Sequence, residues 1–234
     1  MDKGNQSKVS GRRGGNSGGR GGRGQGGGFT TLCHILIGLF TFYFAQNCIL
    51  LGAQSITSGG SLILNQAFPR SLLPLSSAIS AAKQFLPTIP IYVLIVLGGK
   101  IFLNDTSLPG LSLNYLLLPI LFLLLVITSF GLSLLFAALN VYFRDTTKLL
   151  SYIMRIWLYA SPILWQPEML NASYRIILYL NPLGPILSAN SRIWIDGQLP
   201  TLAQLIGCIS WALISFLMGS YFFISRERDF AVRI

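Results

Sequence analysis

Apolar positions in this sequence gather into long blocks instead of alternating or recurring at amphipathic spacing. From Leu32 to about Gln54 nearly every residue is apolar (LCHILIGLFTFYFAQNCILLGAQ). A helix of that run, at about 1.5 Å per residue, covers a hydrocarbon core of roughly 30 Å. It is the first expected membrane crossing. Ser55 to Arg70 (SITSGGSLILNQAFPR) mixes Leu62, Ile63, Leu64 and Phe68 with polar positions, as a short interfacial helix stopped by Pro69 does. The run from Leu72 to Leu103 contains Pro74, Pro87, Pro90 and Lys83, and is expected to start as interfacial helix and to span around Phe85–Val96. Residues 112 to about 139 (SLNYLLLPILFLLLVITSFGLSLLFAAL) give the strongest spanning signal, with Pro119 and Gly131 as places to bend.

A polar segment, Asn140 to Lys148 (NVYFRDTTK), separates that run from a fourth expected span, Leu149–Trp165, which carries Arg155 and is interrupted by Pro162. Gln166 to Pro200 breaks apolar pieces with Pro, Asn and Gly, too irregular for a lipid-exposed crossing. Re-entrant half-helices shielded by protein suit such a stretch, because irregular backbone at membrane depth needs protein or a cavity around it. Leu202–Ile224 is the last expected span, followed by SRERDFAVRI. The pattern therefore predicts an all-α integral membrane protein with about five crossings.

Composition agrees: 52% of the 234 residues are hydrophobic and only 10% charged, against roughly a quarter charged in soluble domains. Six of the 17 Lys+Arg and 12 of the 24 glycines lie in residues 1–31. That segment has almost no side chains able to build a core and reads as a disordered Gly/Arg-rich tail before a membrane domain over 32–234. Its RGG-like spacing admits RNA or anionic headgroups as ligands, with a solvated tail the plainer reading. Elsewhere the basic residues flank apolar runs, which points to the membrane and away from nucleic acid. Cys33, Cys48 and Cys208 lie far apart in apolar stretches, with no metal or redox spacing.

Positive charge in short loops sets orientation. Arg144 and Lys148 place 140–148 in the cytoplasm, and Arg70 with the C-terminal Arg226, Arg228 and Arg233 agree with it. A cytoplasmic C-terminus follows. Five crossings would leave the basic tail outside, against the same rule.

Four segments in order, SGGSLILNQAFPRSLLPLS at 58–76, NVYFRD at 140–145, SPILW at 161–165 and YLNPLGPIL at 179–187, resemble the polysaccharide, O-antigen and teichoic-acid exporter branch of the ABC-2 type permeases. The resemblance covers about residues 35–230. Members of that family usually have six transmembrane helices. Here the part matching the second begins near His34, and the Gly/Arg tail stands where earlier elements would be. The resemblance implies a homodimeric permease in the bacterial plasma (inner) membrane. Two copies of a separate ATPase subunit would drive it to move a lipid-linked polysaccharide outward. No G-x-x-x-x-G-K-[ST] loop occurs in the chain, so no cofactor of its own is expected and ATP would be bound by the partner.

On that footing 58–70 is a candidate cytoplasmic coupling helix, with Asn65, Pro69 and Arg70 named for ATPase coupling, its bland alternative being an interfacial connector. Arg144 and Asp145 join them through the family signature, although Arg144 also serves as an ordinary topology determinant. Arg155, six residues into its span, must snorkel, pair or face a cavity, since a lone cation at bilayer centre costs ~2.5–3.5 kcal/mol. Facing a cavity, it would admit an anionic headgroup. Tyr43, Tyr152, Tyr159 and Trp165 are candidate stacking surfaces for sugars, with membrane-interface anchors the plainer reading. Pro162, Asn181, Pro182 and Pro185 mark a candidate outer gate. His34 has no sequence neighbour for metal or acid/base work and is assigned no chemistry.

Two other classes compete. A membrane-embedded glycan-processing enzyme would need clustered carboxylates or His at one face, where only Asp105, Glu168 and Asp196 stand. A non-transporting scaffold or truncated permease would use the tail to recruit partners.

Overall fold

The computed structural model describes residues 26–60, 69–102, 113–165 and 176–230. All regular structure among them is helical: α1 (Gly26–Ser58), α2 (Leu72–Phe85), α3 (Thr88–Phe102), α4 (Leu118–Tyr142), α5 (Thr146–Ala160), α6 (Ile176–Leu180), α7 (Gly184–Asp196) and α8 (Leu202–Arg226), with 3-10 turns at Leu113–Leu117 and Glu227–Asp229. Most of the expected tail, and the core of the expected coupling segment with Asn65, fall outside the described residues.

Four stretches are long and apolar enough to cross a membrane: Gly28–Ser58, Leu72–Ile101, Leu113–Tyr142 and Leu202–Asp229. The expected crossing at Leu149–Trp165 is corrected. Over 149–165 the regular helix is α5, which has 15 residues, about 22 Å long against a core of roughly 30 Å. It is also strongly two-sided, with Leu150 and Met154 buried and Leu149, Tyr152, Ile156 and Tyr159 exposed. Over 72–103 the helix is divided at Leu86–Pro87, between the 14-residue α2 and the 15-residue α3. α2 and α3 form one 30-residue candidate span, joined by a tight turn in which the Ile89 amide donates to the Leu86 carbonyl at 3.2 Å.

Proline sets several helix starts. Pro74, Pro90, Pro119 and Pro185 each occupy the first turn of their helices, where a missing amide hydrogen costs no internal hydrogen bond. They mark starts of helices, not breaks within them.

α4 is the central helix, packed along α8 on one side and α1 on the other. Contact with α8 is backbone to backbone: a Cβ on Gly131 would overlap Ser215 and Phe216, and one on Gly219 would overlap the Gly131 carbonyl. Against α1, Gly52 leaves room for the Ser133 side chain, which an added Cβ would overlap. Small residues at such crossings let helices in a bilayer gain dispersion contacts that apolar lipid cannot match. A polar tie reinforces the α1–α4 seam, where Asn140 Nδ2 donates to Ala53 O at 3.0 Å and to Thr57 Oγ1 at 3.1 Å.

Buried α7 is held from both sides. His34 Nδ1 lies 2.6 Å from Ser191 Oγ, Asn190 Nδ2 donates to Thr41 Oγ1 at 2.9 Å, and Gln204 Nε2 donates to Ser188 Oγ at 2.7 Å. α7 ends at Gly197, whose φ of 63° is left-handed, and Thr201 with Gln204 forms a reciprocal capping box that starts α8. All three cysteines are buried, as small hydrophobes would be.

Candidate functional site

Two surfaces gather most of the described residues singled out from the sequence. The first is at the end of the bundle where α1 and α4 finish and α8 runs out. Arg70 lies there, not extended into solvent: its backbone amide donates to Glu227 Oε1 at 3.1 Å and its guanidinium Nη1 to the Glu227 carbonyl. One turn on, Asp229 Oδ2 accepts from the Tyr142 hydroxyl at 2.8 Å, and Arg226 stands 5.7 Å above the Tyr142 ring. Phe230 is fully buried beside Phe223, at 5.2 Å between ring centroids, in a cluster with Ile56, Leu134 and Val141. The turn Glu227–Asp229 thus ties the chain entering α2 to the end of α4.

Pro69 is exposed beside this tie. Arg144 and Asp145 form the exposed turn between α4 and α5, and Asp145 meets Lys148 at 3.4 Å. With both side chains about four-fifths exposed, solvent screening holds that pair to less than ~1 kcal/mol.

The second surface is α5. Tyr152, Arg155 and Tyr159 follow at spacings of three and four, so they share a face, and Tyr152 and Tyr159 are 63% and 66% exposed. The Arg155 guanidinium lies 5.8 Å from the Tyr152 ring centroid, a cation–π contact of about 0.5–1 kcal/mol at an exposed site. Of the fates open to Arg155, pairing is the one observed, with an aromatic face as partner. Trp165 follows, its Nε1 donating to the Tyr159 carbonyl at 3.4 Å. Tyr43 is exposed on a different helix, α1.

The far end of α5 is pinned by Asn181. Its Oδ1 accepts from Trp157 Nε1 at 2.7 Å and from the Leu183 amide at 3.0 Å, while Nδ2 donates to Ser161 Oγ at 3.0 Å. Pro162 and Pro185 are buried and Pro182 half-buried. Pro185 lies against Gly207 of α8, where an added Cβ would sit 3.0 Å from its Cγ. Asn181 and Pro185, two of the four residues expected at an outer gate, thus lie where the ends of α5, α7 and α8 come together. Sequence reading missed Glu227, Phe230 and the polar ties of α7. Glu227 looked like tail charge, and a lone His or Asn signals nothing until its partner helix is known.

Among the described residues, no three His, Cys, Asp or Glu side chains gather as a metal or acid/base cluster would. With Asp105 and Glu168 outside those residues, the geometry is that of a helical membrane protein whose prominent polar features are an aromatic–cation strip and a tied end.

No family model matches the chain. It is similar to the O-antigen export system permease protein RfbA of Klebsiella pneumoniae, at 29% identity over 167 residues, 70% of this chain and 61% of that protein. A permease of the same name from Myxococcus xanthus is 24% identical over 202 residues, 86% of this chain and 75% of the relative. The chain is a distant homologue of O-antigen export permeases, which are of the ABC-2 type, and a multi-pass membrane protein. The match spans 61% of the length of the Klebsiella relatives.

Proposed function

We propose that this chain is the membrane-spanning subunit of an ABC exporter that moves lipid-linked polysaccharide across the bacterial plasma membrane, with ATP hydrolysed by a separate subunit. The observation that carries this reading, beside the homology, is the exposed strip on α5. Tyr152, Arg155 and Tyr159 lie along one face of a helix whose opposite face packs on α1 and α4. Aromatic rings offer flat apolar faces to the CH faces of sugars, and an arginine offers charge and donors to a phosphate headgroup. Ile153 and Ile156 are exposed on the same helix, so two copies of the chain facing one another would line a passage with two such strips.

The end carrying Arg70, Arg144, Lys148, Arg226 and Arg228 is the cytoplasmic one on the positive-inside rule. Segment 58–70 docks on the ATPase. Arg70 works through its hold on Glu227, so that a push on the coupling segment reaches α4 and α8 together. The joint at Asn181 carries movement of α5 to α7 and the outer gate.

Replacing both Tyr152 and Tyr159 with Ala in the full chain tests the reading. Membrane level should stay unchanged, since both side chains are exposed. Surface polysaccharide should fall about tenfold, as two aromatic contacts of ~0.5–1 kcal/mol each would give. Undiminished export with normal protein level would remove the strip from the pathway.

A further inference from the structure

A cavity of about 490 Å³ lies between α1, α2, α3, α4 and α7, away from the strip on α5 and from the tied end. Phe85, Tyr92, Tyr115, Phe122 and Trp194 form an aromatic wall, with Phe85 stacked on Phe122 at 5.2 Å and Tyr92 edge-on to Trp194 at 5.5 Å. The remaining lining is aliphatic apart from Thr41 and Asn190, which bond to one another at 2.9 Å. The Thr41 and Tyr92 hydroxyls both donate to the Ile37 carbonyl, at 2.7 and 3.2 Å. The polar groups thus have partners within the protein. A cavity of this size and apolarity is the kind that takes a hydrophobic ligand and does not hold water.

What surrounds the opening identifies the occupant. Leu86 and Ile89, at the turn between α2 and α3, line the cavity and are 55% and 38% exposed, and Pro119 of α4 is exposed beside them. All three lie within candidate membrane spans, so the mouth meets hydrocarbon. A space of about 490 Å³ with an apolar lining suits one hydrocarbon chain. Among the described residues, no Lys, Arg, Asp or Glu lines the cavity, so nothing in that lining selects a charged carrier lipid over the bulk lipid at the mouth. We propose that this cavity is a lateral binding site for one acyl chain of a bilayer phospholipid. The chain enters past Leu86, Ile89 and Pro119 and lies against Tyr92 and Trp194, filling the space between α3 and α7. This site rests on the membrane setting alone and stands whether or not the export reading does.

Photolabelling the full chain in liposomes of phosphatidylethanolamine and phosphatidylglycerol, with a diazirine at the end of one acyl chain, tests it. Adducts mapped by mass spectrometry should appear on Tyr92 or Trp194, both nearly inaccessible at 1% and 5% exposure, as well as on lipid-facing Leu217 and Tyr221. Adducts confined to the exposed residues would overturn the proposal. Val93→Phe, which fills the cavity, should lower wall labelling about tenfold, the loss of ~1.4 kcal/mol of binding, with Tyr221 labelling unchanged. Undiminished wall labelling in a folded variant would also overturn it. Should Val93→Phe fail to fold, Ile89→Trp at the exposed mouth makes the same comparison. Unlabelled polyprenyl phosphate added to the liposomes should leave wall labelling unchanged. Displacement of the label would assign the site to a prenyl chain and overturn the phospholipid assignment.

Discussion

α4 with α8, and α5 beside them, show two uses of helix surface in one membrane. Where α4 crosses α8, Gly131, Ser215 and Gly219 bring the backbones together until no side chain fits between them. α5 instead turns Tyr152, Ile156 and Tyr159 outward and commits Leu150 and Met154 to the bundle. Small residues in a bilayer build a fixed frame because close packing is what lipid cannot supply. Large aromatic residues and a cation on an exposed face hold back contact area that the described chain does not use. The contrast separates what the frame needs from what the proposed transport would use, and substitutions on each side should differ in kind.

The largest effect belongs to the frame. Gly131→Leu forces side-chain atoms into the backbone of α8, and the expected outcome is a loss of about 3 kcal/mol or more, at the upper end for overpacking. The checks are membrane yield and thermal unfolding in detergent. Normal stability would mean that α4 and α8 do not meet at this point. Next comes the joint between frame and strip. Asn181→Ala leaves the Trp157 indole, the Ser161 hydroxyl and the Leu183 amide without the partner they have in the structure. A stability loss of ~1–3 kcal/mol is expected, together with weaker export even where the protein accumulates. Stability equal to the parent's in the same assay would show that these contacts are replaceable.

The smallest stability effect belongs to the tied end. Glu227→Ala removes the acceptor of the Arg70 amide and should lower stability by about 1 kcal/mol. On the proposed coupling role, more ATP should be consumed per glycan exported, because Arg70 keeps only its guanidinium contact to the backbone carbonyl at position 227. An unchanged ratio in reconstituted vesicles would count against the strut. These last two outcomes separate a joint that only holds from one that also transmits.

The apolar blocks at 32–54, 112–139 and 202–224 announced themselves, because twenty or more apolar residues in a row have few other uses, and α1, α4 and α8 run through them. Misreadings came where one-dimensional apolarity conceals sidedness or position. α5 counts as apolar because Tyr, Trp and Ile do, yet those residues divide between two faces. Pro74 and Pro90 looked like interruptions and are first-turn residues. Tyr152, Arg155 and Tyr159 were singled out separately from the sequence, and their common face emerges only once α5 is in place. Glu227, which meets Arg70 across 157 positions of sequence, was not legible, because nothing local ties the two together. The same holds for His34 and Ser191, also 157 apart.

The central claim is that this chain works as the permease of an ATP-driven exporter. Its most direct test is affinity purification of the tagged full chain from its native membrane, with quantification of what accompanies it. The account predicts an ATPase bearing the G-x-x-x-x-G-K-[ST] loop, recovered in equal amount with two copies of each chain, and lost when Arg70 and the residues before it are replaced. Recovery of intact, folded chain with no ATPase under conditions where polysaccharide is being exported would contradict it.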